Sequence, residues 1–323
     1  MRIGIVGAGA IGGWIGAQLA AAGHRVSMLA RGDTLEAIRS GGLVLRLGDR
    51  ESTYKVAVSN DPREFGVQDV VVLAVKAHSL PAVAAAAAAL IGPDTAVLPM
   101  MNGVPWWFLG EDAPLRSVDA DGTLGRAFPV TQVLGCVVHA SSSSPRPGLV
   151  VVKMADRLIL GEPGGADTLR VRTLVDLMTG AGIPAVRSER IRTDLWYKLW
   201  GNMTMNPISA LTLATSDRIL DDDLVREFAQ RIMEEARAIG ARCGCAIQQT
   251  AADRMVVTRQ LGAFRTSMLQ DVEAGRSIEL DALLAAPREI AARFGIATPN
   301  MDALYGMTRL MGASRGVYAA VRS

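Results

Sequence analysis

Residues 1–31, MRIGIVGAGAIGGWIGAQLAAAGHRVSMLAR, decide the fold of this chain. The stretch opens with the β-prone run IGIV at residues 3–6 and continues with a helical pattern that Gly23 closes. RVSMLAR, residues 25–31, has the composition of a second strand. A strand, a helix and a second strand within about 30 residues make a β-α-β unit, so the sequence predicts an α/β fold with a parallel sheet.

Three glycines between the first strand and the helix have the spacing G-x-G-x-x-G. Gly7 permits a tight turn, Gly9 lets the backbone approach a pyrophosphate, and Gly12 lets the helix pack close to the sheet. The helix N-terminus adds free N–H groups and a partial positive charge, which suit phosphates. The sequence therefore predicts a dinucleotide-binding loop made of Gly7, Ala8, Gly9, Ala10, Ile11 and Gly12.

The same stretch shares an early Arg and an apolar run with secretory signal peptides. A signal peptide rarely carries so many glycines and is not followed by a matched second strand, so we expect the cofactor loop and a cytoplasmic protein. The chain has only three cysteines, which do not make a disulfide framework. No His lies near Cys243 and Cys245, so we expect reduced thiols and no metal site.

The overall composition excludes several other classes of protein. A net charge of +2 gives no argument for binding to nucleic acid or to an anionic membrane surface. No stretch reaches the about 18 uninterrupted apolar residues of a membrane span. With 323 residues, of which 50% are hydrophobic, the chain can build one large domain or two medium ones.

The end of the second strand predicts which nucleotide binds. An Asp or Glu at that point would hold the ribose hydroxyls of NAD, but this chain has Ala30-Arg31-Gly32. Arg31 can pair with a 2′-phosphate, and no carboxylate opposes it before Asp33. We therefore expect NADP as the cofactor, with a solvated loop charge as the simpler interpretation of Arg31.

Polar residues follow two later strands, VQDVVVLAVKAHSL and TAVLPMMNGV. Ligands of such sheets bind beyond the carboxyl ends of the strands. We therefore expect Lys76 at the nicotinamide end and Asn102 beside the cofactor amide or the substrate, whereas His78 more simply starts a helix. The alternative for Asn102 is an ordinary Asn-Gly turn with Gly103.

Residues 133–163 have the pattern of two or three strands around a Ser/Pro loop, which predicts an antiparallel addition to the sheet edge. At the end of GCVVHA, His139 or Ala140 could approach the cofactor through backbone atoms. A structural role is the simpler interpretation of His139.

A turn-rich stretch, GEPGGADT at residues 161–168, separates two halves of different character. The sequence predicts a cofactor domain over 1–165 and a mainly helical substrate domain over 166–323. Helical periods in the second half cover residues 167–180, 190–215, 219–242, 247–274, 278–294 and 298–312.

One predicted helix, TDLWYKLWGNMTMNPISAL, carries a polar line. Lys198, Asn202 and Asn206 have the spacing i, i+4, i+8 and therefore share one face. Trp196 and Trp200 lie roughly opposite and form a packed back for the helix. The polar face could line a substrate cleft, or it could be a solvent face with chance spacing.

A second polar cluster lies in SMLQDVEAGRSIELD. Ser267 and Asp271 share a helix face, and Arg276 and Glu279 fall at the turn into the next helix. There the helix dipole would stabilise the Glu279 carboxylate. The alternative is that Glu279 reaches the same cleft as Lys198.

These motifs together resemble the ketopantoate reductase (2-dehydropantoate 2-reductase) family. The resemblance runs nearly end to end, through GAGAIGG, LAVKAHSL, MNGVPWW, GCVVHA, the Lys-x-x-x-Asn-x-x-x-Asn-Pro helix and Ser-Met-x-x-Asp…Glu. It implies a Rossmann-type doubly wound sheet domain, followed by a helical domain like the C-terminal domain of 6-phosphogluconate dehydrogenase. It also implies NADPH-dependent reduction of a 2-keto acid to a 2-hydroxy acid, in pantothenate biosynthesis.

The resemblance implies a role for each residue that matches the motifs. Lys198 would be the proton donor, and Glu279 would help to position cofactor and substrate. Asn102 would touch both ligands, and Lys76 would lie at the nicotinamide end. The residues that would bind substrate are Asn202, Asn206 and Ser267.

The chain departs from the family pattern near the substrate side. Ser216 stands where the family often has a further Asn, Leu284-Ala285-Ala286 replaces an Asn-Gly, and the segment 105–133 is longer than in compact members. An alternative is therefore an NADP-dependent dehydrogenase of the same fold acting on another 2-keto or 2-hydroxy acid, or on an opine-type substrate. A non-enzymatic NADP sensor is a further alternative, but it would have no use for the Lys198 line.

We expect a small-molecule keto acid as the only class of partner, besides a second copy of the chain. The Trp- and Met-containing helices could support a homodimer, or they could be internal core. Neither nucleic acid nor a membrane is expected as a partner.

Overall fold

A computed structural model describes residues 1–319 of the chain. The contacts within it divide the chain into two compact units. The first unit comprises Met1–Met101, Gly110–Pro114 and Asp121–Asp194. The second comprises Asn102–Leu109, Leu115–Ala120 and the chain from Leu195 onward.

The first unit contains a five-stranded sheet in the order β5-β2-β1-β6-β7, in which every pair of neighbours is parallel. Its strands are β1 (Arg2–Val6), β2 (Arg25–Leu29), β5 (Ala57–Ser59), β6 (Val70–Leu73) and β7 (Ala96–Pro99). All four residues of β6 and of β7 are buried, as is typical of a parallel sheet covered on both faces. The predicted β-α-β start and parallel sheet are confirmed.

A second sheet in the same unit has the order β10-β9-β3-β4, with β8 paired to β9. Its strands are β3 (Leu43–Leu47), β4 (Arg50–Tyr54), β8 (Gly135–Arg146), β9 (Leu149–Gly161) and β10 (Ala185–Arg187). The antiparallel pair β8 and β9 was expected at the edge of the first sheet; its ladders place it in the second sheet, and a parallel bridge joins Val133, just before β8, to Val97 of the edge strand β7. The pair belongs to the second sheet because β9 also forms parallel ladders with β3 and β10.

Five helices complete the first unit, namely α1 (Ala10–Ala21), α2 (Gly32–Gly41), α3 (Leu80–Ala88), α4 (Thr123–Ala127) and α5 (Leu169–Gly180). Helix α1 contacts strands of both sheets. A Cβ on Gly13 would lie 2.5 Å from Cγ2 of Val150 in β9, so the bare helix face at Gly13 allows this close contact.

The segment 166–194 clusters with the first unit, because α5 packs on β9 and β10 and β10 extends the second sheet. Judged by these contacts, the boundary predicted after residue 165 therefore lies inside the first unit. That the first part binds the cofactor and the second part binds the substrate stays a prediction.

The second unit is helical. Its helices are α6 (Ile191–Thr212) from Leu195 onward, α7 (Ser216–Asp221), α8 (Asp223–Arg242), α9 (Ala251–Arg259), α10 (Ser267–Glu273), α11 (Ala286–Arg293) and α12 (Pro299–Ser314). The single helical period predicted over 247–274 is two helices, α9 and α10. A turn separates them in which Gly262 has a φ of +61°, a conformation that ends a helix.

A π-helical turn, Asp281–Ala285, leads directly into α11. Such wide turns inside helices are rare and are frequently found at functional sites. Within residues 1–319, none of the helices combines the length and apolar character that a bilayer crossing requires.

Candidate active site

The glycine-rich loop after β1 has the backbone that its spacing predicts. Gly7 has a φ of +101°, and a Cβ on it would lie 2.7 Å from Cγ1 of Val75. A Cβ on Gly12 would lie 2.0 Å from the carbonyl oxygen of Gly7. Both positions therefore exclude a side chain, Gly7 through its conformation and Gly12 through the closeness of helix and turn.

Gly9 differs from these two glycines. It is exposed, and a Cβ built on it would meet no atom within 4 Å. Gly9 caps α1 without a side-chain hydrogen bond, and the first turn of α1 holds no acidic residue. The helix N-terminus therefore faces open space with its N–H groups and partial positive charge, which fits a pyrophosphate.

Arg31 stands at the N-cap of α2, directly after β2, and is exposed. Lys76 is partly buried and precedes a short 3-10 turn, Ala77–Ser79. Ala140 lies in β8, where the register with β9 shifts between His139 and Ala140. Such a bulge re-aims the backbone locally, at the position where a backbone approach to the cofactor was expected.

In the second unit, Lys198 lies on α6 and donates a hydrogen bond from Nζ to Oδ1 of Asn102 over 2.9 Å. The two residues are 96 positions apart in the chain. Lys198, Asn102 and Asn202 are all partly buried, a state between core and free solvent. The polar face of α6 therefore holds an ammonium group in a fixed place, with an amide beside it.

The π-helical turn holds the segment that carries Asn102. Gly103 has a φ of +86°, and a Cβ on it would lie 2.6 Å from the carbonyl carbon of Ala282. The next residue, Val104, donates its N–H to the carbonyl oxygen of Ala282 over 2.8 Å. Gly103 is thus required by a close backbone approach, and that approach positions Asn102.

Farther along α6, Nδ2 of Asn206 lies 3.5 Å from Oγ of Ser267, a long hydrogen bond. Ser267 is the first residue of α10 and is exposed, whereas Asn206 is buried. Asn202 lies one turn from both Lys198 and Asn206. The structure therefore brings Ser267 to the predicted face of α6.

The opposite side of α6 is the packed back that the sequence predicts. Trp196 and Trp200 are fully buried. Their indole N–H groups donate to the carbonyl oxygens of Ala236, over 3.1 Å, and of Met233, over 2.7 Å. Because α8 supplies both acceptors, the rotation of α6 about its axis is fixed, and with it the direction of the Lys198 face.

Glu279 is partly buried and immediately precedes Leu280, which leads into the π-helical turn. This places it at a helix N-terminus, as the sequence predicts. Of the remaining cluster, Asp271 pairs with Arg276 over 3.0 Å and is buried. Ser216 is buried and donates through Oγ to the carbonyl of Phe264.

Sequence reasoning missed two features of this unit. The first is the π-helical turn that contacts Gly103. The Asn-Gly pair is the only sequence signal that relates to it. The second is Arg254 on α9, which packs over Tyr197 and Gly201 of α6. No local pattern marks Arg254. Among residues 1–319, no group of three or more His, Cys, Asp or Glu side chains has the arrangement of a metal site.

Family comparisons cover most of the chain. Residues 3–165 match the family described as ketopantoate reductase PanE/ApbA, and residues 190–312 match its C-terminal counterpart. The 2-dehydropantoate 2-reductase of Mesorhizobium japonicum is 40% identical over 99% of this chain and 100% of its own length.

Solved structures agree with this result. A Ralstonia solanacearum protein assigned to the ketopantoate reductases is 49% identical, with a TM-score of 0.95 over 98% of this chain and 99% of its own. A D-mandelate dehydrogenase with NADH and anilino(oxo)acetate is 21% identical, with a TM-score of 0.86 over 98% of this chain and 100% of its own, and it shows the fold alone. The chain belongs to the ketopantoate reductase family of oxidoreductases, which use a nicotinamide cofactor.

Proposed function

We propose that this protein reduces 2-dehydropantoate (ketopantoate) to pantoate with NADPH, and that Lys198 is the proton donor. The observation that carries this proposal is the hydrogen bond from Lys198 to Asn102, on a helix face that also carries Asn202 and Asn206. The 40% identity to a full-length 2-dehydropantoate 2-reductase supports the choice of substrate.

The reaction needs a cation beside the carbonyl oxygen of the substrate. A reduced nicotinamide, when bound, would supply the hydride for the keto carbon, and the carbonyl oxygen would then carry the negative charge. The Lys198 ammonium stabilises that charge and donates a proton to the oxygen. Asn102 holds the ammonium in place by accepting a hydrogen bond from Nζ.

The neighbouring side chains suit a hydroxylated 2-keto acid. Asn202, Asn206 and Ser267 can donate and accept hydrogen bonds, as substrate hydroxyl and carboxylate groups require. Glu279 would position cofactor and substrate as a hydrogen-bond acceptor. We assign Asn202, Asn206 and Ser267 to substrate binding, Asn102 to both ligands, and Glu279 to the catalytic residues together with Lys198.

For the cofactor, we propose NADP rather than NAD. Arg31 is exposed directly after β2, where it can pair with a 2′-phosphate. The loop Gly7–Gly12 would take the pyrophosphate, and Lys76 and Ala140 would contact the nicotinamide end. A homodimer and a cytoplasmic location stay predictions.

The test is consumption of NADPH by the purified protein with a panel of 2-keto acids. The panel contains ketopantoate, 2-ketoisovalerate, an aryl 2-keto acid and an opine-forming mixture of a keto acid with an amino acid. We expect ketopantoate to have the highest kcat/KM, and NADPH to exceed NADH. A higher kcat/KM with another acid would make that acid the substrate. No turnover with any 2-keto acid would contradict the proposed reaction.

A further inference from the structure

Arg254 on α9 lies against α6 at the place where α6 lacks a side chain. Its guanidinium carbon is 5.2 Å from the centre of the Tyr197 ring. Its Nη2 lies 2.8 Å from the position that a Cβ on Gly201 would occupy. Tyr197 and Gly201 are one turn apart on the same face of α6, so the guanidinium fills the gap that Gly201 leaves.

This cation lacks the partners that a partly buried Arg ordinarily has. Within residues 1–319, the guanidinium of Arg254 forms no ion pair and no hydrogen bond, and its Nε is buried without a partner. Burial lowers the pKa of Arg254, and the nearby Tyr197 offsets this only in part. Buried charges are costly unless they are paired, so an anion that binds the guanidinium would relieve that cost.

The contact with Tyr197 leaves the donors of Arg254 usable. A guanidinium over an aromatic ring uses its flat face. In such a stack the N–H bonds lie in the plane of the guanidinium, so the two Nη groups keep the fork that matches a carboxylate. Tyr197 itself is held by a hydrogen bond from its hydroxyl to Oε1 of Gln249, over 2.8 Å.

The position on α6 connects Arg254 to the Lys198 face. Gly201 follows Lys198 by three residues, which places the two about 60° apart around the helix and one turn along it. They are therefore surface neighbours on α6. The guanidinium fills the gap at Gly201, and the helical period places Gly201 beside Lys198 at the border of the polar face.

We propose that Arg254 is a substrate-binding residue that receives the carboxylate of the 2-keto acid. This inference rests on the proposed function. A 2-keto acid carries its carboxylate directly beside the carbonyl group, so a molecule whose carbonyl oxygen meets Lys198 needs a second cation close by. Arg254 supplies that cation from α9, and Gly201 supplies the space.

The first experiment replaces Arg254 by Met, which keeps an apolar stem, and by Lys. Arg259→Met is the matched control, because Arg259 lies exposed on the same helix and pairs with Asp221. In Arg254→Met we expect the KM for the keto acid to rise by about 10- to 100-fold, with kcat within a few-fold and NADPH affinity unchanged. Arg254→Lys should recover only part of the loss because it cannot form the two-point contact. Arg259→Met should behave as the wild type.

Substrate charge separates recognition from a structural effect. The methyl ester of the same keto acid has no carboxylate, so Arg254→Met and the wild type should have similar kcat/KM for the ester. Equal losses for acid and ester, or an unchanged KM for the acid, would overturn the proposal. So would a weakened affinity for NADPH with an unchanged KM, since Arg254 would then serve a cofactor phosphate.

A second variant tests the same geometry without removing the charge. In Gly201→Ala the new Cβ displaces the end of the Arg254 side chain, which is flexible, so the fold should persist. We expect a raised KM in this variant and no additional rise when it is combined with Arg254→Met. Additive effects would contradict the proposal.

Failure of the two proposals can be told apart. If the wild type turns over no 2-keto acid, the proposed function fails. If the wild type is active and Arg254→Met keeps the wild-type KM for the acid, only the inference on Arg254 fails. Thermal unfolding of each variant shows whether it is folded.

Discussion

The Nζ of Lys198 lies 2.9 Å from Oδ1 of Asn102, and this contact joins two segments that are 96 residues apart. Neither partner could be oriented by its own helix or loop alone. Lys198 is directed by the rotation of α6, which Trp196 and Trp200 fix through α8. Asn102 is directed by the backbone contact of Gly103 and Val104 with Ala282.

Removal of the Lys198 ammonium should abolish most turnover. In Lys198→Met we expect kcat to fall by about 10²- to 10⁴-fold, since a positioned proton donor contributes that much. NADPH affinity, measured by the fluorescence of the reduced nicotinamide, should stay within about twofold of the wild type. Lys153→Met, at an exposed position of β9, is the control. Turnover of Lys198→Met close to that of Lys153→Met would remove Lys198 from the chemistry.

The π-helical turn should matter for activity through Asn102. In Gly103→Ala the new Cβ collides with backbone atoms of Ala282, which cannot move aside as a side-chain tip could. We expect kcat to fall by at least about tenfold, as a displaced catalytic group costs that much or more. Gly110→Ala is the comparison, because Gly110 also has a positive φ, of +90°, but no atom lies within 4 Å of its Cβ position. Equal effects of the two changes would mean that backbone strain, and not the contact with Ala282, is responsible.

Gly12 and Gly9 differ in their surroundings, so replacing each by Ala should separate an effect on folding from an effect on cofactor binding. Gly12→Ala places a Cβ 2.0 Å from the Gly7 carbonyl oxygen, and we expect a loss of about 3 kcal/mol or more in the free energy of unfolding. Gly9→Ala meets no atom within 4 Å, so the fold should be retained. The added methyl would instead obstruct a pyrophosphate, and NADPH affinity should fall. Denaturant unfolding and NADPH titration of both variants check this, and normal NADPH binding by Gly9→Ala would argue against the loop as the phosphate site.

Cofactor preference should depend on Arg31. In Arg31→Ala we expect kcat/KM for NADPH to fall by about 10- to 100-fold, because a charge-assisted contact to the 2′-phosphate is lost. Activity with NADH should change little. Arg39→Ala is a suitable control, since Arg39 is exposed on α2 and pairs with Glu36. A parallel loss with both cofactors in Arg31→Ala would show that Arg31 does not read the phosphate.

Acid stability should depend in part on Glu162, which directly follows β9 and is buried. Burial raises the pKa of this carboxyl, but hydrogen bonds from Arg170 and Thr168 outweigh that effect, and the pKa is lowered from its ordinary value of 4.5. The unfolded chain therefore binds the proton more readily than the folded chain does. The stability that Glu162 contributes is present above pH 4.5 and is lost as the pH falls through the lowered folded pKa.

Glu162→Gln should thus unfold more easily at neutral pH, by about 2 kcal/mol, and lose less further stability as the medium is acidified. Urea unfolding at several pH values measures both effects. Glu36→Gln, at a salt bridge that is exposed on both sides, should leave the pH dependence as it is. If Glu162→Gln loses as much stability at low pH as the wild type does, other carboxyl groups are responsible for the pH dependence.

The sequence by itself determined the features that depend on neighbours along the chain. The glycine spacing gives the turn and the helix N-terminus after β1, and the 3.6-residue period places Lys198, Asn202 and Asn206 on one face of α6. These follow because strand, turn and helix geometry repeat over a few residues.

Only the tertiary structure decided the features that depend on contacts between distant segments. The second sheet exists because β9 pairs with β3 and β10 as well as with β8. Asn102 meets Lys198 because a π-helical turn leaves a carbonyl that fits against Gly103, and Arg254 fills the gap at Gly201 from another helix. No periodic pattern in a single sequence marks such pairs, since each contact depends on shape and hydrogen bonding between elements that pack together.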